Sequence, residues 1–378
     1  MDRQVRRMGI LSTLLALAWT WVAADATVRF TLRDWQLDKG SSPLSVGPST
    51  VAITLHQRHG DLSETRFLDY IDSRVVQIAG GDARITDFDG GVIGTEYSSD
   101  GRLLLVQEQV DKTDDNPIRR THLVDSNGTI LWTKEDSRAY SFSDTGEALF
   151  SVRPVASTLS KGTDVEVLDL VGRLVKRIKT TGEIRGAVVF GEGTEAVVCV
   201  GRTVVMYNLK TSPVTRQWAV ELPDGDAVVV DPELHDGHRV AYQGVMDLKF
   251  LDEGRFVIQE HGGRLVFMNK QGRTEYLFDP DDHVTRLQGR EVMRVMLGSD
   301  SHKVILYPDL GGRDRGFELD IEAGALKHVT FPPERASEKS RGVYRGRMVF
   351  LSPGAVRFQP VVPDPDQAVA NQPNHAVK

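Results

Sequence analysis

The sequence has a single cysteine, Cys199, in 378 residues. No internal disulfide can form, so the fold has to be held by its own core. Cys199 lies in the apolar run Ala196-Val197-Val198-Cys199-Val200, which marks it as a small buried side chain and not a nucleophile. A run of Lys and Arg is also missing, and 46 basic residues face 53 acidic ones for a net charge of −7. Nucleic acid is therefore excluded as the main partner, because that binding rests on neutralised phosphates. Long uninterrupted segments are scarce, since 35 glycines and 16 prolines place a breaker about every seventh residue, a gap shorter than a mean helix of ~11 residues. A mainly helical protein is excluded. No Gly-x-Ser-x-Gly element and no phosphate-binding glycine loop ahead of a helix pattern is found, which removes the common signatures of a serine hydrolase and a nucleotide enzyme.

Two terminal segments stand apart. Arg3, Arg6 and Arg7 precede the 17 uncharged residues Met8–Ala24, and Ala24-Asp25-Ala26 follows as a small-x-small site. This is the pattern of a secretory signal over residues 1–26, cleaved before Thr27. The expected location is secreted or periplasmic, with no membrane span in the mature chain. At the other end, residues 359–378 hold four prolines and few large apolar side chains, the composition of a disordered tail.

Between them one pattern recurs: an apolar strand, a turn with an acidic residue near glycine, and a second apolar strand. It reads Tyr97-Ser98-Ser99-Asp100-Gly101 before Leu103-Leu104-Leu105-Val106, then Phe142-Ser143-Asp144-Thr145-Gly146 before Ala148-Leu149-Phe150. It returns as Phe190-Gly191-Glu192-Gly193, as Phe250-Leu251-Asp252-Glu253-Gly254 and, more loosely, as Gly298-Ser299-Asp300. Each unit has a second hairpin, such as Val124-Asp125-Ser126-Asn127-Gly128 running into Thr129-Ile130-Leu131-Trp132. Asp or Asn before Gly suits such tight turns. The first four turn glycines are 45, 47 and 61 residues apart, a period that points to four-stranded propeller blades.

Units begin near 97, 139, 187, 245 and 291, and a compact sixth fits Arg66–Glu96. Within it Leu68, Ile71 and Val75 also fit helical spacing, with Ser63 as N-cap. Val343-Tyr344, Met348–Leu351 and Val356–Phe358 supply three strands of a last unit, and Val51–Leu55 is the expected fourth. The fold class expected is all-β: a propeller of four-stranded antiparallel blades over residues 27–358, seven in number, with six as the alternative.

The phrases Tyr-Ser-Ser-Asp-Gly-Arg-Leu-Leu (97–104) and Val-Asp-Ser-Asn-Gly-Thr-Ile-Leu-Trp (124–132) resemble the WD-repeat-like and quinoprotein-like β-propellers of exported bacterial proteins. The resemblance covers roughly 66–358 and implies architecture only. Quinone-binding propellers repeat an Asp, Thr-Gly, Trp docking motif. Here only Asp125, Gly128 and Trp132 approach it, one residue short, so no cofactor is expected.

The pairs His56/His59 and His235/His238, and the turns at Asp87–Gly90 and Asp279–His283, fall short of the three or four convergent ligands a metal needs. No metal site is expected. The function expected is that of a non-enzymatic binding propeller taking a protein, small-molecule or glycan ligand. The alternative is a propeller hydrolase or lyase using loop carboxylates and histidines. In a meander of strands A, B, C and D, the A–B and C–D turns share one end of the sheet and the B–C and D–A connections share the other. The long polar segments Gln107–Arg120, Arg153–Thr163, Leu222–Gln243 and Asp279–Arg286 all belong to the second class. Loops on a rigid scaffold carry binding, so Arg119, Arg120, His235, His238, Asp281 and His283 are the expected binding residues.

Overall fold

Alternating apolar residues and glycine turns give strands throughout. A computed structural model describes residues 26–29, 44–48, 50–58, 70–79, 82–110, 119–136, 138–152, 164–222, 229–231, 240–242, 245–252, 254–260, 264–278, 293–297, 302–308, 315–333, 339–344, 347–352 and 355–363. Strand β1 is Ala26–Arg29. Blade 1 is β2 (Leu44–Val46), β3 (Thr50–Arg58), β4 (Tyr70–Ala79) and β5 (Asp82–Phe88). Blade 2 is β6 (Gly91–Tyr97), β7 (Leu103–Gln109), β8 (Arg119–Asp125) and β9 (Ile130–Asp136). Blade 3 is β10 (Ala139–Phe142), β11 (Leu149–Val152), β12 (Asp164–Leu168) and β13 (Leu174–Lys179). Blade 4 is β14 (Ile184–Phe190), β15 (Glu195–Val200), β16 (Thr203–Asn208) and β17 (Thr215–Glu221). A hairpin of β18 (Val229–Asp231) and β19 (Val240–Tyr242) precedes blade 5, which is β20 (Val245–Asp252), β21 (Arg255–Glu260), β22 (Leu265–Asn269) and β23 (Thr274–Phe278). Blade 6 is β24 (Met293–Leu297), β25 (Lys303–Pro308), β26 (Arg315–Asp320) and β27 (Ala325–Thr330). Blade 7 is β28 (Lys339–Tyr344), β29 (Arg347–Ser352) and β30 (Ala355–Pro360), completed by β1. The registers described are all antiparallel, and the fold is a seven-bladed β-propeller.

The chain divides into two compact units, residues 32–293 and residues 1–31 with 294–378. In the larger unit, the first strands of neighbouring blades touch, β2 with β6, β6 with β10, and β14 with β20. Four apolar seams fill the spaces between successive blades. Ala52, Val75 and Phe88 meet Leu104, Val106 and Val124 between blades 1 and 2, and Leu105 and Leu123 meet Tyr140, Leu149 and Leu168 between blades 2 and 3. Phe150, Val165 and Val167 meet Ala187, Ala196 and Val198 in the third seam. Val197, Val204 and Met206 meet Leu248, Phe256 and Val266 in the fourth. Each such side chain contributes about 1.5–3 kcal/mol on burial. Cys199 is buried in the fourth seam, and burial pushes its thiol up to about 12. In the smaller unit, Ile305, Val329 and Phe331 pack on Met348 and Phe350.

The C–D turns serve as interblade clamps. The Asp125 side chain accepts the N–H groups of Asn127 and Thr129, Asp169 those of Val171 and Arg173, and Asn269 those of Gln271 and Arg273, at 2.8–3.1 Å. The outer strand of the preceding blade then bonds to each turn. Thr86 Oγ1 donates to the Gly128 carbonyl (2.8 Å), Trp132 Nε1 to Leu170 (2.7 Å) and Trp218 Nε1 to Lys270 (3.0 Å). The indole rings lie over Gly172 and Gly272. Trp132 thus docks onto the following blade, while Asp125 of the same motif shapes its own turn.

Several expectations are corrected. The strand completing blade 7 is β1, with Thr27 opposite Arg357 and Val28 opposite Val356, whereas Val51–Leu55 lies in β3 and pairs with β4. A run of five apolar residues reads as a strand wherever it sits, and sequence alone does not name its partner. The unit placed at Arg66–Glu96 is split: β4 and β5 are the C and D strands of blade 1, and Gly91–Tyr97 opens blade 2. Val75 and Ile71 are on strand β4, not a helix. Residues 359–363, assigned to the tail, are largely β-structure. Gln359 and Pro360 end β30, and β31 (Val362–Pro363) pairs with β27 as a fifth strand of blade 6. Ala26, the last residue of the expected signal, is the first of β1.

Candidate functional site

The end carrying the B–C and D–A connections differs from the clamped end. In the larger unit the blade strands flank connections 59–69, 110–118 and 153–163 at B–C positions, while 222–244, which holds the β18–β19 hairpin, and 279–292 fall at D–A positions. The strand ends there are charged.

Blade 2 has Glu108 one residue before the end of β7 and starts β8 with Arg119 and Arg120, followed at the fourth position by His122. Glu108 and His122 are buried, and one carboxylate oxygen, Oε2, stands 2.8 Å from His122 Nε2. The other ring nitrogen meets Thr133 Oγ1 at 2.9 Å. With Nε2–H donating to the carboxylate, the threonine hydroxyl is placed to donate to Nδ1. Phe88 holds the ring from the side at 5.0 Å between centroids. Arg120 Nε donates to Glu135 Oε2 at 2.9 Å on the surface.

Blade 3 gathers Arg138 ahead of β10 with Asp164 and Glu166 on β12. Arg138 reaches Glu166 at 3.2 Å, Asp164 at 3.5 Å and Ser151 Oγ at 3.3 Å. Arg177 of β13 pairs with Glu166 and lies 3.6 Å from Asp164. At the seam of blades 4 and 5, Glu260 closes β21, pairs with Arg264 and lies 3.5 Å from Arg202. Two buried carboxylate oxygens at this end, Glu108 Oε1 and Asp164 Oδ1, have neither a hydrogen bond nor an ion pair among the described residues, while Glu260 Oε1 has only the Arg202 guanidinium at 3.5 Å. An unpaired buried acceptor forfeits about 1–3 kcal/mol of solvation, so these groups are suited to take donors from outside the strands.

Glu96, half-buried on β6, accepts the Phe142 N–H at 3.2 Å. Burial pushes its carboxyl up to about 7, against the opposing effect of the Phe142 and Ser141 hydrogen bonds.

The sequence-derived residues fare unevenly. Arg119 and Arg120 are at the expected end, but as the first two residues of strand β8 and not in a loop. His235, His238, Asp281 and His283 lie outside the described residues. The buried charges at Glu108, Asp164, Glu260 and Arg264, and the half-buried Arg138 and Arg202 that pair with them, were missed. A signal existed for two of them: Glu108 and Glu260 each interrupt an apolar strand just before a connection. Among the described residues no group of three His, Cys, Asp or Glu is arranged to hold a metal.

No protein-family model matches the sequence, and no curated protein matches it. Many solved structures share the fold. A chain of the mitotic checkpoint complex is similar at 11% identity and TM-score 0.50 over 90% of this chain and 94% of that one. The β-propeller domain of Myceliophteria thermophila Cps50 (Swd1) is similar at 9% identity and TM-score 0.55, over 90% of this chain and all of that one. At these identities the likeness carries the propeller fold alone.

Proposed function

We propose that the protein is an exported binding propeller that holds a protein partner at the B–C and D–A end of blades 2–5. The observation behind it is the contrast between the two ends of the blades. At one end the C–D turns are tied to their neighbours by hydrogen bonds, and at the other the buried carboxylates of Glu108 and Asp164 each keep an acceptor oxygen unpaired among the described residues. Loops of variable length on a rigid scaffold are the usual seat of recognition. Arg119 and Arg120 border this end, and His235, His238, Asp281 and His283 belong to connections that leave it in sequence. One of the similar solved structures is itself titled as part of an assembly, the mitotic checkpoint complex.

The test places a photo-crosslinker at residue 119 or at residue 271, in the C–D turn of blade 5, in the expressed full chain. Partner adducts are expected from 119 and not from 271. The double neutralisation Arg119→Gln, Arg120→Gln should abolish the adduct and lower stability by no more than the ~1 kcal/mol of the surface Arg120–Glu135 pair. Equal adducts from both positions, or an adduct indifferent to the neutralisation, would overturn the reading.

A further inference from the structure

Seven large apolar residues are exposed among the described residues, and six of them, Ile85, Ile130, Leu131, Val171, Leu174 and Val175, sit on the outer rim of blades 1–3. They form one stripe. The Gly128 turn before Ile130 bonds to Thr86 beside Ile85, and Trp132, next to Leu131, bonds to Leu170 beside Val171. Exposed aliphatic residues grouped in this way mark interaction surfaces.

Blade 5 supplies an internal control. Its C–D turn and outer strand have the same build as those of blades 2 and 3. A capping side chain accepts the same two N–H groups in each, Asp125, Asp169 or Asn269, and each outer strand carries a bulge one residue after its pairing resumes, at Leu131, Val175 and Glu275. The positions of Val171, Leu174 and Val175 are held in blade 5 by Gln271, Thr274 and Glu275. The same scaffold thus accepts polar residues there, and the fold does not demand the apolar ones.

We propose that this rim, centred on the outer edge of β13, docks an extended segment of a protein partner in which acidic and apolar residues alternate. β13 ends the strand order of its sheet, so one side of it carries no strand among the described residues. In blade 6 the corresponding edge, β27, takes on the short strand β31, which shows in this protein that an outer strand accepts a fifth. Charge selects the occupant. β13 carries Lys176, Arg177 and Lys179, with Arg173 just before it, and no acid; Arg173 and Arg177 are already paired with Asp169 and Glu166 and Lys176 donates to the Thr211 carbonyl, so Lys179 is the cation that meets an acidic ligand first. The outer strands β5, β9 and β17 mix signs and β23 carries Glu275. Two copies pairing β13 on β13 would set cation against cation, which is unfavourable. This surface lies apart from the B–C and D–A end, and the proposal stands or falls independently of the function proposed above.

The probe is a fluorescent peptide alternating glutamate and valine, titrated into the full chain, with its lysine–valine counterpart as control. The acidic peptide should bind at least ~10-fold more tightly, a factor worth about 1.4 kcal/mol, and should protect β13 amides from hydrogen exchange. Val171→Gln, Leu174→Thr and Val175→Glu together install the blade 5 residues and should weaken binding by a similar factor with an unchanged melting temperature. Lys179→Glu alone, a surface change, should weaken it as well. Equal binding of both peptides, or binding unchanged in these variants, overturns the proposal. So does binding to phosphatidylserine vesicles that the triple variant abolishes while the peptide fails to bind, since that would make the rim a membrane surface.

Discussion

Replacing Gly272 by alanine separates the strain of the clamp from its packing. Gly272 has φ of +80° in the C–D turn of blade 5, and a Cβ there would stand 3.0–3.2 Å from three atoms of the Trp218 ring. Gly201, with φ of +61°, is the matched control, because a Cβ there meets nothing within 4 Å. For an L-residue the left-handed conformation costs about 1–2 kcal/mol, offset by about 0.4–1 kcal/mol through a less flexible unfolded chain. Gly201→Ala should therefore cost about 1 kcal/mol. Gly272→Ala carries the same strain plus an overpacking term of about 1–3 kcal/mol, because Trp218 has to move and its 3.0 Å bond to the Lys270 carbonyl loosens. Its total should reach about 2–4 kcal/mol. Urea unfolding of the two variants gives the comparison, with equal slopes showing that both unfold the same surface. A red shift of tryptophan emission is expected in Gly272→Ala only. If Gly272→Ala costs no more than Gly201→Ala, the clamp contributes no packing and the reasoning fails.

Glu96 makes stability fall with pH. Its folded value, about 7, exceeds its ordinary 4.5, so its contribution is complete below 4.5 and is lost as pH rises through 7. Glu96→Gln should overtake the native chain across that interval by on the order of 1–3 kcal/mol, and parallel melting curves at all pH values would refute this. Arg138→Ala strips a cation from Asp164 and Glu166 and should cost about 3 kcal/mol; a loss under ~1 kcal/mol in urea melts would show that Arg177 suffices. Export predicts a mature chain beginning at Thr27, read by N-terminal sequencing of secreted material. An intact Met1 form fixed in a membrane would contradict it.

The repeating turns were legible because Asp or Asn ahead of Gly dictates backbone geometry locally, as at Asp125–Gly128 and Asn269–Gly272. Strand partners were not. Val51–Leu55 has the stronger apolar signal, yet blade 7 takes Ala26–Arg29, four residues beside the uncharged run 8–24 that masks them. The rim escaped for a related reason. Leu131 and Val175 read as ordinary strand residues, and only the bulge in register turns them outward. Glu108 and Asp164 were hidden because burial depends on which seam a strand faces, and that is decided by neighbouring blades. The long connections were visible as polar insertions, and their placement at B–C and D–A positions follows from strand order alone.

The pairing of β1 with β30 ties residue 26 to residue 358. During synthesis the first strand made has no partner until nearly the whole chain has emerged. A chain halted before residue 355 leaves β1 single and blade 7 without β30, so a truncated product is structurally unlike a finished one. Cleavage before Thr27 still leaves Thr27, Val28 and Arg29 to form the pairing, and removal of a few residues more would not. Blade 7 therefore works as a completeness check, in which residues more than 300 apart in sequence must both be present before the sheet can form.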